Sequence, residues 1–158
     1  IFMESEQMYG DKGEVPEEEY VIPLGKSEIK ISGKDVTIVS FGKILKEAVK
    51  AIDELKNENI DAELIDLRTI RPLDIEPIIS SVKKTNRLVI LEESWPYGNI
   101  SSEISYQVQN RIFDYLDAPI EKINTADTPA PYSPVLLAEW IPNYKDVINA
   151  VKKVLYKS

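Results

Sequence analysis

VTIVSFGKILKEAVKAIDELKNENIDAELIDL, residues 36–67, predicts a strand, a helix and a second strand. Residues 36–41 and 62–67 are rich in β-branched and other apolar side chains, which is typical of buried strands. Between them, apolar residues recur at helical spacing and charged residues occupy the opposite face. The predicted core stripe of this helix is Ile44, Leu45, Ala48, Val49, Ile52 and Leu55. Two strands joined by such a helix form a right-handed crossover and pair in parallel.

The same alternation of strands and helices continues on both sides of this unit. Further strands are predicted at residues 28–31, 88–91 and 120–123, and the first of these alternates in polarity like an edge strand. Further helices are predicted after Asp74, which is expected to cap its helix, and at about residues 99–116 and 144–156. The proline-rich stretch 125–143 is predicted to be a long loop. The pattern predicts a three-layer α/β/α fold, with a mostly parallel sheet of about five strands and one antiparallel edge strand.

Residues 1–25 differ in character from the rest of the chain. Gly10-Asp11-Lys12-Gly13 interrupts regular structure, and an acidic stretch follows around Pro16. Ile1-Phe2-Met3 is interpreted as the tail of a strand that begins upstream. We therefore expect residues 1–25 to be the end of an upstream domain and an interdomain linker, and residues 26–158 to form one α/β domain.

Composition narrows the possible functions. The 158 residues include no cysteine, so disulfides, thiolate metal sites and a cysteine nucleophile are absent. Histidine is also absent, which disfavours a self-contained active site because histidine is the commonest general base near neutral pH. The net charge of -8 disfavours binding to nucleic acid. No apolar run is long enough to span a membrane, and no signal-peptide features are visible, so we expect a cytoplasmic protein.

Polar residues follow the predicted parallel strands, where ligands gather in folds of this class. No glycine-rich phosphate cradle occurs, and Gly42 is best explained as a tight strand-to-helix turn. Glu92 and Glu93 are adjacent and should point in opposite directions, so one of them is expected to cap a helix or to pair with Arg68 or Arg71. The two arginines could bind an anion or organise their loop. Residues 95–97 are interpreted as either an aromatic contact surface or a core plug.

Several of these motifs resemble a known family. Residues 65–74, IDLRTIRPLD, resemble the strand and turn of the transketolase C-terminal domain. Residues 81–87 and 92–96 are similar to the β subunit of 2-oxo acid dehydrogenases, and residues 116–119 with 126–132 are most similar to its pyruvate type. The resemblance covers essentially the whole chain.

The resemblance implies an α2β2 heterotetramer that decarboxylates a 2-oxo acid with thiamine diphosphate and Mg²⁺ and acylates lipoyl groups. It places the cofactor and the catalytic histidine outside this chain, which would then hold no catalytic, cofactor or metal residue. The implied partners are a second β subunit, the α subunits, and the peripheral subunit-binding domain of dihydrolipoyl acetyltransferase. The implied docking residues are Asp117 and Ser158.

Two alternatives stay open from the sequence. The same domain could serve a branched-chain 2-oxo acid or acetoin dehydrogenase, because the substrate pocket lies mostly elsewhere in this family. The chain could also be a free-standing module that binds anionic ligands through Arg68 and the Glu92-Glu93 pair.

Overall fold

The computed structural model describes residues 4–157. A short 3-10 turn, Glu6–Met8, is the only helical or strand element before the first strand in the described part of the chain. The strands are β1 (Glu28–Ile31), β2 (Val36–Ser40), β3 (Ala62–Asp66), β4 (Leu88–Leu91) and β5 (Glu121–Ile123). The helices are α1 (Leu45–Asn57), α2 (Ile75–Thr85), α3 (Ile100–Ile112), α4 (Pro134–Trp140) and α5 (Tyr144–Val154). The strand predicted at residues 1–3 lies outside the described residues.

The five strands form one sheet in the order β1-β3-β2-β4-β5. β2 pairs in parallel with both β3 and β4, and β4 pairs in parallel with β5. β1 runs antiparallel to β3 at the edge, with an irregularity between Ile29 and Ile31. This confirms the predicted mostly parallel sheet with one antiparallel edge strand.

Two hydrophobic cores lie on opposite faces of the sheet. Ile38 of β2 faces the core shared with α1 and α5, whereas its neighbour Val39 faces the core shared with α2 and α3. This alternation follows from the period of two in a strand, and it explains why buried parallel strands read as continuous apolar runs. The three-layer architecture is therefore the one predicted. Val49, predicted on the core stripe of α1, is instead partly exposed, because the stripe contacting the sheet is narrower than the apolar pattern.

Two further local predictions were wrong. The stretch 125–143 is not a continuous loop, since α4 occupies Pro134–Trp140 with its proline at the start, where a missing N–H costs nothing. Asp74 stands at the N-cap position of α2, but its side chain makes no capping bond. Its carboxylate instead accepts the Ser27 backbone N–H at 3.0 Å, so it ties the start of β1 to this turn.

Candidate functional site

Glu92 caps helix α3 from the end of β4. Its side chain is buried, with the residue only 3% exposed, and it accepts the backbone N–H groups of Ser101 at 2.9 Å and Ile100 at 3.3 Å. The Asn99 side chain accepts the next N–H, that of Ser102, at 2.9 Å. These bonds satisfy the first N–H groups of the helix, which otherwise have no partner. The predicted capping role of the glutamate pair is confirmed for Glu92.

Glu93 points elsewhere and forms an ion pair with Lys43. Its Oε1 lies 2.9 Å from Lys43 Nζ, and both side chains are about three-quarters buried. Lys43 also donates to Gln7 Oε1 at 3.2 Å, which brings the N-terminal segment to the start of α1. One of the two glutamates was expected either to cap a helix or to pair with an arginine; Glu92 caps a helix, and Glu93 pairs with a lysine. The ladder places the ends of β2 and β4 side by side, so the residue after Gly42 is nearer than the loop after β3.

A cavity of about 520 Å³ adjoins this ion pair. The N-terminal segment, the start of α1 and helix α4 line it, including Met8, Ile44, Leu137 and Ile141. Gly42 has a left-handed φ of 69°, which permits the tight turn that introduces Lys43 here. This confirms the turn role predicted for Gly42.

Arg68 belongs to a local cluster at the sheet edge. Its backbone is left-handed, with φ 55°, and its N–H donates to Asp66 Oδ1 at 3.1 Å. Its guanidinium pairs with Glu28 of β1. Lys30, 2.7 Å from Glu28, together with Arg68 holds the pKa of the Glu28 carboxyl below its ordinary value. Arg68 therefore organises its loop against β1.

Arg71 is exposed, and within residues 4–157 it has no ion-pair partner. Since Arg68, Glu92 and Glu93 each engage a different group, the described structure shows no shared anion pocket built from these four residues. Trp95 and Tyr97 are exposed, so residues 95–97 are an aromatic surface and not a core plug.

Asp117 lies at the opposite end of the sheet, in the turn before β5. Its side chain is 57% exposed, and its Oδ2 lies 3.4 Å from a guanidinium nitrogen of Arg87, the residue before β4. The Asp117 backbone N–H donates to the Asn86 carbonyl at 2.9 Å. The Asp117 carbonyl accepts the Tyr156 hydroxyl at 3.1 Å. The end of the described chain is thus held beside Asp117; Ser158 itself lies outside the described residues.

Arg87 connects this turn to the last helix. Its Nε donates to the Val154 carbonyl at 3.0 Å, at the end of α5. An apolar recess of about 370 Å³ adjoins Asp117 and is lined by Gln109, Phe113, Leu116, Ala118 and Pro119. Phe113 and Tyr156 are both exposed. The turn therefore presents a carboxylate beside apolar surface.

Sequence reasoning missed Arg87 and Tyr156 as parts of this surface. The sequence contained a signal for Arg87, because residues that precede neighbouring parallel strands lie at the same end of the sheet, the amino end of the strands. Arg87 precedes β4, and Asp117 lies shortly before β5. The Tyr156 contact carried no such signal, because it depends on where α5 ends.

The described part of the chain offers neither a metal-binding cluster nor a membrane-spanning helix. Residues 4–157 contain no cluster of three or more acidic, histidine or cysteine side chains that could hold a metal ion. No helix among these residues is long and apolar enough to cross a membrane.

Comparison with known proteins decides the family. Residues 25–147 match the family described as "Transketolase, C-terminal domain". The chain belongs to the transketolase C-terminal domain family. A solved structure titled "Split gene transketolase, inactive beta4 tetramer" has a TM-score of 0.76 and 29% sequence identity, and it aligns with 85% of this chain and 44% of its own. The transketolase C-terminal-like fold expected from residues 65–74 is thereby confirmed.

Curated relatives refine this placement. The "Pyruvate dehydrogenase E1 component subunit beta" of Rickettsia felis is 49% identical over 100% of this chain and 48% of its own length. The protein of the same name from Rhizobium meliloti is 49% identical over 99% of this chain and 34% of its own length. This transketolase C-terminal domain therefore spans at most about half the length of these relatives. The resemblance to 2-oxo acid dehydrogenase β subunits of the pyruvate type is confirmed.

Proposed function

We propose that the chain is the C-terminal assembly and docking domain of a pyruvate dehydrogenase (acetyl-transferring) β subunit. The parent enzyme would carry out oxidative decarboxylation of pyruvate and acetyl transfer to lipoamide. The observation that carries this proposal is the 49% identity, over essentially the whole chain, to proteins named as pyruvate dehydrogenase β subunits. These names favour pyruvate over a branched-chain 2-oxo acid or acetoin. Cytoplasmic residence is part of the same proposal.

The parent enzyme's thiamine diphosphate and Mg²⁺ do not fit the residues that the structure describes. The described residues offer no cluster of acidic ligands for a divalent cation. The first N–H groups of α3, which could have received a phosphate, are taken by Glu92 and Asn99. We therefore place the cofactor site outside this chain and expect the isolated fragment to be inactive.

The α subunits and a second β subunit are the proposed assembly partners. Several large apolar side chains are exposed in the loops after β4 and β5 and at the start of α4: Trp95, Tyr97, Tyr132, Val135 and Leu136. Exposed apolar groups in such numbers favour contact with other proteins. On this basis we assign these loops to subunit contacts.

The peripheral subunit-binding domain of dihydrolipoyl acetyltransferase is the proposed partner of Asp117 and the chain end at Ser158. The contact from Asp117 to Arg87 is 3.4 Å, longer than a good charge-assisted hydrogen bond, and the carboxylate is 57% exposed. A basic group of a partner could therefore approach it. Arg87 would keep its bond to the Val154 carbonyl while Asp117 turned to the partner.

Titration calorimetry tests this proposal, with the assembled heterotetramer and a recombinant peripheral subunit-binding domain. Asp117→Asn should weaken binding about tenfold, or about 1.4 kcal/mol, because it removes one interfacial charge. Removing residues 157 and 158 should weaken binding in the same direction. Higher salt should reduce the affinity of the unmodified enzyme more than that of the variant.

The matched control is Asp114→Asn. Asp114 is an exposed aspartate in the neighbouring 3-10 turn, Phe113–Tyr115, so its substitution makes the same change in net charge. Affinity should be nearly unchanged in this control. Equal affinity of Asp117→Asn and the unmodified enzyme would refute the docking assignment.

A further inference from the structure

Tyr156 has an uncommon backbone conformation. Its φ is 53°, in the left-handed region that bulky side chains rarely adopt. It ends α5, where its own N–H donates to the Lys153 carbonyl at 3.1 Å and the Lys157 N–H donates to the Lys152 carbonyl at 2.9 Å. This pair of bonds is the Schellman motif, and glycine is the residue that usually occupies the left-handed position. A tyrosine at this position therefore calls for an explanation beyond ending the helix.

Burial does not provide that explanation. Tyr156 is 72% exposed, so its ring contributes little to either core. Its hydroxyl, however, reaches the Asp117 carbonyl at 3.1 Å, across 39 positions of sequence. Left-handed residues held by surrounding structure often mark functional positions.

The contact closes a ring of interactions around the Asp117 turn. The Asp117 backbone N–H donates to the Asn86 carbonyl, and the Asp117 carboxylate lies beside the Arg87 guanidinium. Arg87 in turn holds the Val154 carbonyl, at the end of the helix that carries Tyr156. The end of α5 is thus attached to the turn at two points, once through the Arg87 guanidinium and once through the Tyr156 hydroxyl.

We propose that Tyr156 is a positioning residue for the docking surface. Its hydroxyl holds the end of α5 against the Asp117 turn, so that the Asp117 carboxylate is presented in a fixed position to a basic partner. This inference rests on the proposed docking function. The inference goes further because it distinguishes two roles: Asp117 contacts the partner, whereas Tyr156 orients the surface that carries Asp117.

Two substitutions separate positioning from fold stability. Tyr156→Phe removes only the hydroxyl. Tyr156→Gly also removes the ring but supplies the residue that suits a left-handed helix end, so thermal stability should be equal or higher. Both should weaken binding of the peripheral subunit-binding domain to the heterotetramer, by about threefold to fivefold, which is the size expected for one hydrogen bond.

Hydrogen exchange provides a readout that does not depend on docking. In Tyr156→Phe, the backbone amides of residues 155–157 should exchange faster than in the unmodified chain, because one of the two attachments of the helix end is lost. Tyr106→Phe is the matched control: Tyr106 is exposed on α3 and belongs to neither proposed contact surface, so binding and exchange should both stay unchanged.

The outcomes distinguish the inference from the function on which it rests. Unchanged exchange at residues 155–157 in Tyr156→Phe would show that the hydroxyl holds nothing, and would overturn the inference whatever the binding result. Faster exchange with unchanged affinity would also overturn it, while a loss of affinity in Asp117→Asn would still support docking. If Asp117→Asn binds normally, the docking function fails and the positioning role fails with it.

Discussion

Replacing Glu92 with glutamine tests whether the carboxylate at the end of β4 is part of the fold or is available for chemistry. The buried carboxylate accepts two backbone N–H groups from the first turn of α3, at 2.9 and 3.3 Å. In Glu92→Gln, the amide oxygen can keep only one of these bonds, and its NH₂ group then faces the other N–H donor. A net contribution of about 1.5–3 kcal/mol is typical of a hydrogen bond to a charged group. The lost interaction with the helix dipole adds about 0.5–1 kcal/mol.

We therefore expect Glu92→Gln to lower the free energy of unfolding by about 2–4 kcal/mol. For a chain of this size this corresponds to a fall in melting temperature of about 5–15 °C. Urea unfolding followed by circular dichroism measures the free energy, and an unchanged slope against urea would show that the unfolded state is the same.

Glu93→Gln is the matched control, since it makes the same chemical change one residue away. Glu93 forms a partly buried ion pair with Lys43, but the glutamine oxygen of the variant can still accept a hydrogen bond from Lys43, so we expect a loss of only about 1 kcal/mol. The reasoning fails if Glu92→Gln and Glu93→Gln are equally stable, because the capping carboxylate would then contribute no more than the charge of the Glu93–Lys43 pair.

Two further predictions concern β3 and the turn that precedes β2. Burial opposes ionisation of Glu63, but Lys84, Ser81 and the Gly33 N–H outweigh it and hold the pKa of this carboxyl below its ordinary value of 4.5. Folding therefore favours the ionised form, so the stabilisation is complete above pH 4.5 and is lost as the pH falls through the lower folded pKa. Urea unfolding at neutral and acidic pH should show this loss in the free energy of unfolding of the unmodified chain, and a smaller loss in Glu63→Gln. An equal loss in the two proteins would contradict the assignment. Gly33→Ala should destabilise the fold by about 1–3 kcal/mol, the usual cost of overpacking. The reason is that the new Cβ would lie 2.3 Å from the backbone carbonyl carbon of Ala62. Differential scanning calorimetry measures the effect, and an unchanged melting temperature would contradict this prediction.

Local periodicity predicted most of the fold because the elements of this chain are strongly patterned. β4 is a continuous apolar run, β2 is rich in β-branched residues, and α1 has an apolar stripe opposite a charged face, so local sequence and tertiary structure agree. Helix α4 was missed because prolines surround it and none of its residues is buried, which leaves no clear apolar stripe. In such a segment, periodicity carries little information.

Side-chain partners were harder to predict because they depend on which strands are neighbours. Asp74 was expected to cap its own helix, but the Ser27 N–H, 47 positions away, binds its carboxylate instead. An arginine after β3 was considered as a partner for one of the two adjacent glutamates, yet strand order places Lys43 beside Glu93. Sequence identifies which residues need a partner, whereas the topology of the sheet selects that partner.

The two ends of the sheet differ in what their polar groups are free to do. At the carboxyl ends of the strands, Glu92 is committed to α3, Glu93 to Lys43 and Arg68 to Glu28. Ligands usually bind at this end in parallel α/β folds, but here these charged groups are engaged by the domain itself. At the amino ends, the Asp117 side chain is 57% exposed beside apolar surface and lies 3.4 Å from the Arg87 guanidinium. This asymmetry is the physical reason for seeking the function of this domain in contacts with protein partners, because the exposed Asp117 carboxylate lies beside apolar surface, whereas Glu92, Glu93 and Arg68 are engaged by the domain itself.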